Sequence, residues 1–195
     1  MDKVYNFIID VLLINSNNSS EKKELYVYSL KILFHAAIHA LLTLFIGVLL
    51  NALFESVFLI VSFASVRKFS GGVHLEKYKT CLLLSTLIVF FLVLAIKNYS
   101  NLFIEKIYLI CSFASITVIF FLSPVESTNK TINFKELKIY KITATIASIL
   151  LLFISVVIIR IKASIGFACG LGINLAAVLL IIEKIKKVIR RRKHS

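Results

Sequence analysis

The segment Arg67-Lys68-Phe69-Ser70-Gly71-Gly72-Val73-His74-Leu75-Glu76-Lys77-Tyr78-Lys79-Thr80-Cys81 sets one histidine and one cysteine between two strongly apolar stretches. These are the two groups that thiol acyl transfer requires. The thiolate is the attacking species, a free cysteine has a pKa of about 8.5, and an imidazole in contact holds it ionised near neutral pH. Arg67, Lys68, Lys77 and Lys79 favour the same negative charge if they lie close. Spacing alone leaves a plainer alternative open, with Cys81 a small residue opening a helix and His74 a solvated loop residue. On a straight helix, positions seven apart share a face but are separated by about 10.5 Å along the axis. A nucleophile and its base need a contact of roughly 3 Å. Either the loop folds back at Gly71-Gly72, where the absent Cβ eases a bend, or the two groups come from different subunits.

Other chemistry-bearing residues are less suggestive. His35 and His39 are four apart and share a helix face, but no carboxylate or thiol stands at matching spacing, so packing or pore-lining is favoured over a metal. His74-x-Glu76 lacks the second ligand pair of a zinc protease motif, so neither a metal nor another cofactor is expected. Cys111 and Cys169 lie within apolar runs and read as apolar filler. Three cysteines so placed argue against a disulfide framework. Ser164, Gly166 and Gly170 have the small-residue spacing of close helix packing, inside the protein or between protomers.

The elements that must position these groups are membrane helices. The chain has 195 residues, 59% of them hydrophobic, and a soluble domain of that size has too little polar surface to cover so much apolar material. One proline, six glycines and no tryptophan fit long helices better than turn-rich β structure. The stretch Ile32 to Val66 is almost continuously apolar and would form one helix of about 50 Å, against a hydrocarbon core of about 30 Å. Two spans with a tight turn at Asn51–Glu55 fit better. Further spans read as Thr80–Ile96, Leu102–Leu122, Ile142–Ile159 and Ala163–Ile182. Val4, Phe7, Ile8, Val11 and Leu12 share one face of a segment too short to span, which predicts an interfacial amphipathic helix. The polar stretch from Asn15 to Lys23 reads as a loop. The expected fold is all-α, a polytopic membrane bundle of about six transmembrane helices. It forms a single domain over 1–195, with the N-terminal helix and loop at 1–31, the bundle at 32–182 and a basic tail at 183–195. The first 30 residues lack the pattern of a cleavable signal.

The net charge of +13 follows the same plan. With both termini inside, nineteen Lys and Arg fall on the cytoplasmic side, and Lys97, Lys106, Arg160 and Lys162 alone fall opposite. That asymmetry is the positive-inside signature and makes the Arg67–Lys79 loop cytoplasmic. No basic stripe is interleaved with aromatics on a soluble element, so nucleic acid is not an expected partner. The lipid bilayer is one. The basic loops could add attraction for anionic lipid or an acidic peptide.

The pattern Arg67…Gly71-Gly72-x-His74-x6-Cys81, following a hydrophobic pair of spans, resembles the AgrB family of Gram-positive quorum-sensing peptidases. Ser123-Pro124-Val125-Glu126…Asn129-Lys130 is similar to that family's other recurrent loop, with Glu126 where Asp is usual and Thr131 where a proline often follows the lysine. Length, span number and basic character agree over nearly the whole chain. The resemblance implies a membrane cysteine endopeptidase that removes the C-terminal tail of an AgrD-like propeptide, with an acidic tail, through an acyl-thioester. The remainder then closes into a thiolactone or lactone signal. Cys81 would be the nucleophile and His74 its general base. Arg67 would steady the loop or bind a substrate carboxylate, Gly71 and Gly72 would shape it or offer N–H groups to an oxyanion, and Pro124 would shape the second loop. Glu76 is a candidate to orient His74. A homodimer is compatible with this scheme. Two other classes compete: a small membrane transporter or exporter, and a non-catalytic membrane partner. Few ionisable groups and no broken helices near the midplane speak against the transporter.

Overall fold

A computed structural model describes residues 20–71, 78–98, 102–125 and 134–194. Six helices account for nearly all of them: α1 (Ser20–Leu49), α2 (Leu53–Ser70), α3 (Tyr78–Lys97), α4 (Leu102–Leu122), α5 (Phe134–Ile159) and α6 (Ala163–His194). The expected all-α membrane bundle is what forms. Four helices are long and apolar enough to cross a bilayer, through Ile32–Leu49, Thr80–Lys97, Glu136–Ile159 and Ala163–Arg190. α4 contributes a shorter described apolar stretch, Ile107–Leu122. α2 is 18 residues long and carries Glu55 in its first turn and Arg67 and Lys68 in its last.

Several helix ends differ from the sequence reading. α1 begins at Ser20, inside the stretch read as a loop. α5 begins at Phe134 rather than Ile142, and α6 continues to His194 rather than stopping at Ile182. No glycine or proline stands in 20–31, 134–141 or 183–194, so nothing stops a helix once its apolar part has formed. The predicted amphipathic helix at Val4–Ile14 lies outside the described residues.

Two compact units divide α1, one up to Leu42 and one from Thr43 onward. In the first, His35 and His39 sit one turn apart and both are half-buried. In the second, α6 is the hub, packing on α2, α5, α4 and, less extensively, α3. Its glycines let each neighbour approach. A Cβ on Gly172 would lie 2.8 Å from the Leu59 oxygen and the Phe63 nitrogen of α2. One on Gly166 would lie 2.7 Å from the Ser155 oxygen and Ile159 nitrogen of α5, and one on Gly170 would strike the Tyr108 ring of α4. These small residues therefore pack inside the chain.

The α6 core stripe continues as Ile173, Ala176, Ala177 and Leu180, which meet Val66, Ile119, Ala144 and Leu152. Ser155 donates to the Gly166 carbonyl at 2.7 Å, and the Tyr108 hydroxyl bonds Ser155 and reaches that carbonyl at 3.3 Å. Leu83, Phe91, Ile110, Phe113, Phe121 and Phe153 point outward and are exposed, the surface a hydrocarbon solvent covers.

At the α1–α2 turn, Asn51 adopts φ 51°. Glu55 accepts from Ser164 at 2.8 Å and pairs with Lys162 at 3.2 Å. Burial pushes its carboxyl pKa up. Hydrogen bonds from its own backbone, Ser164 and Lys162, with the Lys162 charge, outweigh that and hold it below the ordinary value.

Candidate active site

α2 ends at Ser70 because Gly71 leaves the helix with φ 75° and ψ −161°, a conformation essentially confined to glycine. The Gly71 N–H still closes the last turn on the Arg67 carbonyl at 3.1 Å. Its own carbonyl accepts from Arg67 Nη1 at 3.4 Å and from Ser70 Oγ at 3.3 Å. Beyond it, Val125 donates its N–H to the Ser70 carbonyl at 3.1 Å, and Gly71 pairs with Val125 as an isolated parallel β-bridge. The two loops singled out in the sequence, one after α2 and one after α4, are thus joined through their backbones. A Cβ on residue 71 would fall 2.6 Å from the Val125 oxygen. Pro124 is half-buried and follows a cis peptide from Ser123.

Cys81 is half-buried, in the first turn of α3. Ser85 donates to its carbonyl. Arg67, half-buried with its guanidinium 5.9 Å from the Phe63 ring centroid, lies within electrostatic reach of Cys81 and Glu183. Burial pulls the Arg67 pKa below its ordinary value, and those two acidic groups pull it back up.

The structure therefore brings Arg67, Gly71, Pro124 and Cys81 to one end of the bundle. Gly72, His74 and Glu76 lie outside the described residues. Cys111 is exposed on α4. Cys169 is buried with Sγ 3.6 Å from the Leu151 carbonyl, and neither adjoins this group. Glu183 is the residue the sequence reading passed over as the start of a basic tail. It follows Ile173, Ala176 and Leu180 at helical spacing, which is the signal that it continues the buried stripe.

A family model described as Accessory gene regulator B matches residues 2–182. A "Putative AgrB-like protein" of Clostridium perfringens strain SM101 is 27% identical over 170 residues, covering 84% of this chain and 79% of the relative. "Putative AgrB-like protein 2" of C. perfringens strain 13 is 26% identical over 127 residues, covering 63% of this chain and 59% of the relative. No solved structure matches. This chain, with its membrane helices and its Arg67–Cys81 segment, belongs to the AgrB family.

Proposed function

We propose that this protein is a membrane cysteine endopeptidase that trims a quorum-sensing propeptide and passes it on to ring closure. Quorum-sensing autoinducer processing is the role of its family. The observation that supports the finer reading is the position of Cys81 in the first turn of α3, within electrostatic reach of Arg67, whose guanidinium also holds the Gly71 carbonyl.

In this mechanism His74 takes the Cys81 proton and the thiolate adds to the scissile carbonyl. The tetrahedral intermediate collapses, the C–N bond breaks, and His74 returns the proton to the leaving amine of the tail. The N-terminal part remains as a thioester on Cys81. A substrate thiol then attacks that carbonyl, exchanging one thioester for another at nearly constant free energy, so ATP is not needed. An apolar site at the membrane surface favours this exchange over hydrolysis. The substrate class is a short propeptide with an acidic C-terminal tail.

The test is a propeptide whose cyclising cysteine is replaced by alanine, incubated with the protein in lipid nanodiscs. It can acylate Cys81 but cannot leave by exchange. A covalent adduct should accumulate, break with neutral hydroxylamine, and map by mass to the peptide containing Cys81. Rapid tail release with no adduct, under conditions that trap thioesters, would replace the thioester route with direct water attack.

A further inference from the structure

Glu183 is a carboxylate on the core side of α6 that the mechanism above leaves unused. It is the only acid in α6, in a run that otherwise carries seven Lys and Arg from Lys184 onward. It sits one turn past Leu180 on the stripe packed against Val66 of α2. Arg67 is the residue after Val66. The Glu183 Oε2 atom is buried and makes no hydrogen bond among the described residues. A buried carboxylate oxygen in such a place is costly unless a cation answers it. Arg67 lies within electrostatic reach of both Glu183 and Cys81. The family match ends at residue 182, one position short of it.

We propose that Glu183 is a positioning residue of this site. Its carboxylate fixes the Arg67 guanidinium across the end of α2, and Arg67 in turn fixes the Gly71 carbonyl where the chain leaves that helix. Arg67 is then turned inward to steady the loop, not outward to a substrate carboxylate. The cation is half-buried against Phe63, so its charge needs an anion on the adjoining helix, and α6 supplies one. The catalytic consequence rests on the cysteine mechanism above; the juxtaposition does not.

Two experiments separate the parts. In a variant lacking the three native cysteines, Arg67→Cys with Glu183→Cys should be bridged by a short bis-maleimide within one chain. Bridging is read as protection from later PEG-maleimide labelling. Failure to bridge would overturn the juxtaposition, whatever the enzyme does.

With native cysteines, Glu183→Gln and Arg67→Gln should each lower kcat about tenfold or more while KM changes less than about twofold. The double variant should be no worse than the poorer single, because groups acting as a unit are not additive. Glu183→Asp should recover part of the loss. Lys187→Gln, one turn further along α6, should not reproduce it. Multiplying losses, or a fall confined to KM, would reduce Glu183 to a structural or substrate-facing role. Should Cys81→Ala prove active, the cysteine mechanism fails while the bridging result still stands.

Discussion

Gly71 is where two demands on the backbone coincide. It must leave α2 with φ 75°, and its α-carbon must sit against the Val125 carbonyl. An alanine there meets both the strained conformation, worth about 1–3 kcal/mol, and a steric clash. Gly71→Ala should therefore slow tail release at least about tenfold while the protein still accumulates in the membrane. Unchanged processing would mean the Gly71–Val125 junction is dispensable. Cys81→Ala and His74→Ala should each abolish cleavage, and Cys111→Ala and Cys169→Ala should leave most of it, all read by mass spectrometry of the products. Glu55 makes a different prediction. Its carboxyl pKa is depressed in the fold, so its stabilisation is fully present above the ordinary carboxylate range and is lost as pH falls through the lower folded value. Lys162 is about half exposed, so solvent screening limits the pair to about 1 kcal/mol. The melting difference between the wild type and Glu55→Gln in detergent should shrink towards acid pH.

Each glycine of α6 faces a different neighbour, so substitutions along one element should probe separate interfaces. Gly172→Ala sets a methyl against the α2 backbone, which cannot rotate away as a side chain could. About 1–3 kcal/mol of destabilisation is expected, read as a lower melting temperature of the solubilised protein. If that temperature is unchanged, the α2–α6 approach is looser than described. The same helix shows what the sequence could and could not tell. The spans Leu102–Leu122 and Ala163 onward were legible because hydrocarbon tolerates only long apolar runs. The helix ends were not, because hydropathy marks where the bilayer stops, while a helix stops at a breaker. At the site, the Arg67–Cys81 segment and the Pro124 loop were legible as two separate stretches. Their meeting through Ser70 and Val125 was not, since a backbone hydrogen bond leaves no mark on residue type. Glu183 was hidden for a related reason. An acid just after an apolar run looks like an anchor until its face is known.

The uneven charge of the whole molecule becomes sharper in three dimensions. Lys162, one of four cations expected on the sparse side, is neutralised by Glu55. In contrast, the basic residues beyond Glu183 are carried on a continuing helix. Both termini should thus be cytoplasmic. Lys68→Cys and Ile161→Cys, both exposed positions, test this in a background without native thiols. An impermeant maleimide added to intact cells should label residue 161 and miss residue 68, and the reverse pattern would invert the topology. Capture of an acidic propeptide should also weaken as salt rises, because exposed charges are screened within about 10 Å at 0.1 M. The hub arrangement bears on how the protein is made. α6 is synthesised after α2, α4 and α5, yet it is the surface on which all three settle. At about 5–20 residues per second, α2 and α4 wait several seconds or more in the bilayer with Ser62 and Tyr108 lacking their α6 neighbours, and Ser155 of α5 waits about a second. During that interval Ser62 can still bond the Phe58 carbonyl of its own helix, and Tyr108 and Ser155 can bond each other, so what is missing is the packing surface and the Gly166 carbonyl. A ribosome stalled before residue 163 would leave α2 and α4 held only through α5, without the helix that touches all of them.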